Sequence, residues 1–299
     1  MYASLRDTKL FFDIDGAGLV PDGPAMRERP TAFLIHGGPG VDHSGYKSIG
    51  AHLAQSMQLV YFDHRGQGRS ARGDNSKYTL DENVEDMEAL RRYLGLGPII
   101  SIGTSYGGMV AMAHAARHPG SVSQLILGST ASHAGYAKRA MEITAACGTA
   151  AQIALCDDLF AGRIDTAEKF AHYFDVMGSL YSRKYDPDRA KLGRSRTILT
   201  TEALNMAHGP GGFLRSFDLR PELHLIAAPT LILAGRYDWI CAPEFAEEIH
   251  LVTPKSELRI FEESSHNLYN DEPQLFLDSI SEFLTRTRGG ATINEKPSR

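Results

Sequence analysis

Residues 100–110 read ISIGTSYGGMV, an apolar run that gives way to a helix-like stretch through a knot of glycines at 103, 107 and 108. One small hydroxyl residue, Ser105, sits in the middle of that knot. The pattern Gly103-Thr104-Ser105-Tyr106-Gly107 is G-x-S-x-G, and its context is a strand before and a helix after. A serine held on such a corner takes a sparsely populated backbone conformation, and side chains flanking it would collide with the adjoining strand and helix. Glycine removes those collisions. A plain tight turn would also use glycines, so a nucleophilic Ser105 requires partners elsewhere in the chain.

Outward from this corner, short apolar runs bounded by turn residues recur: TAFLIH 31–36, QLVYFD 58–63, PIISIG 98–103, QLILG 124–128, TLILAG 230–235 and ELRIFE 257–262. Helical patterns lie between several of them. Leu80, Val84, Met87, Leu90 and Leu94 recur at three-to-four spacing, opened by Thr79 and Glu82 as a capping box and stopped at Gly95. The stretch 107–120 reads as a shorter helix ended by Pro119 and Gly120. Near-continuous apolar strands alternating with helices predict an α/β fold, a mostly parallel sheet with helices on both faces. The rhythm breaks over 129–217, where amphipathic pieces occur without a strand-like run. We therefore expect a core of 1–128 and 218–287, a helical cap insertion at 129–217, and a flexible tail at 288–299.

A serine hydroxyl is a poor nucleophile until a base takes its proton, and the base needs a group that fixes its tautomer. When the elbow motif occurs in such sheets, the partners follow in the order serine, acid, histidine, on loops after late strands. Two loops fit. RYDWICAP after TLILAG offers Asp238, and ESSHNLYN after ELRIFE offers His266. His114, His118, His172 and His208 lie on helical stretches and read as surface or core residues. Attack on a carbonyl also makes an oxyanion, and each preorganised donor to it is worth about 10²–10³ in rate. The glycine-rich FLIHGGPG at 33–40 can turn the Gly38 N–H into the site, with Tyr106 N–H as the second donor. A phosphate-cradling loop is the competing reading, but neither G-x-G-x-x-G nor G-K-[ST] follows.

Bulk properties narrow the function. The 299 residues are 42% hydrophobic and 22% charged, with a formal net charge of −5 and scattered basic residues. Nucleic-acid and membrane-surface partners therefore have no electrostatic support. Cys147, Cys156 and Cys241 lack metal-ligand spacing and read as buried thiols of a reducing compartment. The N-terminus has no apolar signal core, and no run approaches the ~18 apolar residues of a membrane span, so a cytoplasmic protein is expected. No metal or cofactor is implied, and the partner is a small-molecule substrate.

HGGPG 36–40, FDHRGQGRS 62–70, GTSYGG 103–108, GRYDWICAP 235–243 and SSHNLY 264–269 together resemble the α/β-hydrolase superfamily. Within it they look most like the prolyl iminopeptidase group of serine peptidases, over about residues 8–287. The resemblance implies Ser105, Asp238 and His266 as a triad, Gly38 and Tyr106 as oxyanion donors, and Asp63, Arg65 and Ser70 as braces of the neighbouring loop. It also implies glutamates that hold a substrate's free ammonium, and here the chain departs from it. AHGPGGF at 207–213 puts Gly211 and Gly212 where Asn and Glu are expected, and Trp239 rather than Glu follows Asp238. Glu202 and Glu222 lie nearby and would have to substitute from different backbone positions. Trp239 and Phe213 are the candidate substrate-binding side chains, with packing under the cap as the alternative for both. The expectation is a serine hydrolase of a neutral or hydrophobic ester, lactone or amide. A prolyl iminopeptidase-like aminopeptidase is the alternative, and a ligand receptor with a retained triad is a third reading.

Overall fold

The computed structural model describes residues 1–288. The chain opens with four strands for which the periodicity gave no warning: β1 (Tyr2–Leu5), β2 (Thr8–Asp15), β3 (Leu19–Asp22) and β4 (Ala25–Glu28). Their polar, half-exposed character hides them, since β3 and β4 form a solvent-exposed hairpin. The predicted strands all form. They are β5 (Thr31–Ile35), β6 (Gln58–Phe62), β7 (Ile99–Thr104), β8 (Val122–Gly128), β9 (Thr230–Gly235) and β10 (Ser256–Phe261).

One sheet runs in the order β1-β2-β6-β5-β7-β8-β9-β10. From β6 to β10 all neighbours are parallel, while β1 and β2 join antiparallel at one edge. Alternate side chains of the central strands feed two separate cores. Phe33, Ile35, Val60, Phe62, Ile232 and Ala234 pack with α2 (Leu80–Tyr93), α3 (Tyr106–Arg117) and α9 (Pro243–Val252). Ala32, Leu34, Leu59, Tyr61, Leu231 and Leu233 pack with α1 (Lys47–Leu53) and α11 (Pro273–Arg288) on the other face. Burial on both faces is why these strands read as unbroken apolar runs rather than alternating ones.

Thr79 caps α2, its side chain accepting from Glu82 N at 3.2 Å. The reciprocal half of the expected capping box is not made, because the Glu82 carboxylate is drawn to Arg6 and Arg65 at 2.7 and 3.1 Å. A complete capping box forms instead at Thr149 and Gln152, which sequence inspection overlooked.

Between β8 and β9 the described chain is helical: α4 (Gly135–Cys147), α5 (Ala150–Ala161), α6 (Ala167–Tyr181), α7 (Pro187–Arg194) and α8 (Thr201–His208). An isolated antiparallel bridge joins His133 to Asp218 at the base of this excursion. A short α10 (Leu268–Asp271) precedes α11. Helix α11 runs to Arg288, one residue into the expected tail, and the rest of that tail lies outside the described residues. Cys156 and Cys241 are buried thiols as expected, but Cys147 is exposed at the end of α4, so that reading is corrected.

Candidate active site

Ser105 follows β7 as the N-cap of α3, at φ 56° and ψ −127°, a left-handed conformation that a side chain adopts only under constraint. The constraint is visible. Its N–H donates to Gly128 O at 2.9 Å, and its carbonyl accepts from Gly108 N at 2.9 Å and Thr130 Oγ1 at 2.8 Å. The flanking glycines are obligatory for contact reasons. A Cβ on Gly103 would lie 2.2 Å from Gly107 O, and one on Gly107 would lie 1.9 Å from Ile35 O. Strand and helix thus meet closer than any side chain permits, which answers why glycines cluster around Ser105.

Gly37 packs directly on Ser105, its Cβ direction 3.1 Å from Ser105 Cβ and 3.7 Å from Oγ. Gly38 itself adopts φ +106°, which reserves the position for glycine. Tyr106 N–H is the first of α3 and has no partner within the helix, and the positive end of the helix dipole is at the same point. Gly38 follows the glycine that packs on Ser105, and Tyr106 follows Ser105 itself.

The loops after β9 and β10 meet each other. His266 Nδ1 lies 2.8 Å from Asp238 Oδ2. The second oxygen of that buried carboxylate accepts from Ile240 N at 3.0 Å and Cys241 N at 2.9 Å. Among the described residues no hydrogen bond joins Ser105 Oγ to His266, and catalytic hydrogen bonds commonly tighten only when substrate is bound.

The FDHRGQGRS loop is a brace, as expected. Asp63 accepts from the His43 backbone N at 3.0 Å and lies 2.7 Å from His43 Nδ1. Burial pushes its carboxyl up, yet the His43 bond and the Arg69 N–H outweigh that and hold it at about 2. Arg65 grips Asp86 through Nε and Nη2, both at 2.6 Å. Ser70 Oγ ties Asp63 O to Phe11 N at 2.6 and 2.9 Å. Gln67 Oε1 receives Gly40 N at 2.7 Å and so fixes the glycine loop, a role without a sequence signal because 27 residues separate the two.

Two buried histidines beneath the glycine loop also escaped sequence reasoning. The rings of His36 and His64 are 4.3 Å apart. His64 N donates to His36 Nε2 at 3.1 Å, while His36 Nδ1 bonds Gly37 O at 2.8 Å. That arrangement requires a neutral His36 protonated at Nδ1. Burial accordingly lowers the pKa of both, that of His64 well below the ordinary value.

Trp239 is 1% exposed, its ring 5.4 Å from Tyr181, so it packs under the helical excursion rather than lining open space. The aromatic surface against His266 is Tyr181 itself, 5.3 Å away in an edge-on arrangement, which no motif announced. Phe213 is partly exposed with its ring 5.9 Å from the Tyr106 ring. His114 bonds buried Glu88, His118 pairs with Glu85, His208 is buried against Tyr136, and His172 is exposed. None of the four joins Asp238 or Ser105. Glu222 is engaged by Arg117 at 2.7 and 2.9 Å, and exposed Glu202 by Asn75 at 3.0 Å.

Residues 30–273 match the model of the alpha/beta hydrolase fold family, and the chain belongs to that family. It is 29% identical to the proline iminopeptidase PfmaB of Pestalotiopsis fici, over 92% of this chain and 99% of that one. It is 30% identical to a proline iminopeptidase of Saccharolobus solfataricus, over 84% of this chain and 83% of the relative. The proline iminopeptidase structure from Mycobacterium smegmatis shares the fold with a TM-score of 0.76 at 20% identity, covering 96% of this chain and 98% of that one. The fold and the resemblance expected from the motifs are thus both found. No helix among the described residues is long and apolar enough to cross a membrane.

Proposed function

We propose that the protein is a cytoplasmic serine hydrolase in which Ser105, His266 and Asp238 act together. The observation that carries this is the Asp238–His266 pair, anchored by two amides, on loops that follow β9 and β10 in the sheet whose β7 leads into Ser105. Ser105 Oγ attacks a substrate carbonyl while His266 Nε2 takes the hydroxyl proton. The oxyanion is received by the N–H groups of Gly38 and Tyr106. The tetrahedral species expels its alcohol or amine, which leaves with the proton from His266. Water, deprotonated by the same ring, then releases the acid and restores Ser105. Helices α4–α8 serve as a cap over this site, with Phe213 and Tyr181 as its aromatic lining.

For the substrate we infer a neutral acyl group. An ammonium buried without a carboxylate is costly. Every acid buried in the described chain is already engaged: Asp42 by Ser44 and Ile198 N, Asp63 by His43, Asp86 by Arg65, Glu88 by Arg91 and His114, Asp238 by His266, and Asp271 by Ser182. Glu202 and Glu222, the two substitutes, are committed at the surface. The second reading, an aminopeptidase acting on N-terminal proline or small amino-acid amides, is favoured by the relatives, which are named proline iminopeptidases.

A fluorophosphonate probe followed by peptide mapping tests the first reading, and label anywhere but Ser105 refutes it. Turnover of prolyl arylamide against its N-acetyl form, beside short p-nitrophenyl esters and a lactone, separates the two substrates. A strong preference for the free amine overturns the neutral-acyl inference.

A further inference from the structure

Asp271 ends α10, five residues beyond His266, and is fully buried. Its oxygens accept four donors. Ser182 Oγ and Lys184 N reach Oδ1 at 2.5 and 3.0 Å, and Arg183 N and Ser265 N reach Oδ2 at 3.1 and 2.8 Å. Those donors fill the roughly four acceptor sites of a carboxylate. Three of them come from the segment leaving α6, and the fourth from the residue before His266.

The same segment holds His266 from both sides. Ser265 Oγ donates to Leu180 O at 2.5 Å, and Asn267 N donates to Tyr181 O at 2.9 Å. The Tyr181 ring stands 5.3 Å from the imidazole. The Arg183 guanidinium lies over Tyr237, at 3.9 Å, next to Asp238. Residues 180–184 are therefore clasped onto both loops that bring His266 and Asp238 together, with Asp271 as the central rivet.

We propose that Asp271 is a positioning residue for His266: through residues 180–184 it fixes the imidazole between Asp238 and the end of α6. This rests on the triad reading above. Asp271 touches neither substrate nor Ser105, and acts only by holding the His266 loop in register with Asp238. Replacing it by Asn turns one acceptor oxygen into a donor facing two donors, which breaks one side of the clasp without changing its volume.

The test compares wild type, Asp271→Asn and Ser182→Ala, well below their melting temperatures, using p-nitrophenyl butyrate turnover and the second-order rate of fluorophosphonate labelling. A displaced imidazole lowers kcat and the labelling rate of Asp271→Asn by about 10- to 100-fold with KM nearly unchanged, as a misplacement of ~1 Å does. Ser182→Ala, which removes one bond on the α6 side, shows a smaller drop in the same direction and serves if Asp271→Asn does not fold. A folded variant with a lower melting temperature but wild-type kcat and labelling rate overturns the proposal, because a purely structural acid would behave that way. Failure of the wild type itself to label at Ser105 refutes the triad reading instead, so the two failures are distinguishable.

Discussion

His266 Nδ1 and Asp238 Oδ2 stand 2.8 Å apart, and the other Asp238 oxygen is held by two amides. The carboxylate cannot rotate away, so the ring donates from Nδ1 and leaves Nε2 as its acceptor. Asp238→Asn offers an amide where the ring needs an acceptor and favours the wrong tautomer. Its kcat is expected to fall by about 10⁴, with the melting temperature little changed. Ser105→Ala and His266→Ala should each abolish turnover, and their combination should be no worse than either alone, measured as kcat/KM.

Gly107 lies against the end of β5. Gly107→Ala puts a methyl 1.9 Å from Ile35 O, a backbone atom that cannot yield without moving the strand. The loss of stability is expected to reach at least ~1–3 kcal/mol, the usual range for overpacking, read by urea denaturation. Because the same strand leads into His36 and the glycine loop, esterase activity of any folded fraction should fall as well.

Arg65 and Asp86 form a doubly bonded, buried ion pair. Removing Asp86 takes away both short bonds to Arg65, which keeps Asp7 and Glu82 at 3.1 Å each, so Asp86→Ala is expected to cost less than the about 3–5 kcal/mol of a fully stranded buried charge. Chemical denaturation of Asp86→Ala beside Asp86→Asn checks it, the isosteric amide giving the smaller loss.

Acid stability should follow the buried histidines. His208 is held at about 4, by burial first and then by Arg215, and His36 and His64 are lowered by burial. In the unfolded chain each takes a proton below about pH 6.5. A depressed folded pKa means their contribution is intact above pH 6.5 and is lost as pH falls below it, for His208 down to about 4. For His208 that loss is of order 3 kcal/mol at the acid end. Denaturation midpoints at several pH values should show His208→Phe less acid-sensitive than wild type, the Phe ring replacing imidazole beside Phe160.

The strands β5 to β10, the helix after Ser105 and the loop positions of Asp238 and His266 were all legible in the chain. Fully buried strands are written as unbroken apolar runs, and a nucleophile elbow cannot be built without its glycines. The N-terminal strands were not, because an exposed hairpin carries no apolar pattern. For Trp239 the chain left two roles open, a substrate wall or packing under the cap; its 1% exposure and edge contact with Tyr181 at 5.4 Å favour packing, since sequence order does not say which of two aromatic rings will stand in front.

Local pattern alone thus determined the parallel sheet, the serine corner and the kind of residues that could serve it, because backbone sterics and burial act on neighbouring positions. Tertiary structure decided which acid meets which donor. Asp271 with Ser182, Gln67 with Gly40 and Tyr181 with His266 are joined across 27 to 89 residues by the packing of loops at one end of the sheet. Contacts of that span leave no periodic trace in the chain, since their partners are chosen only when the elements carrying them are brought together.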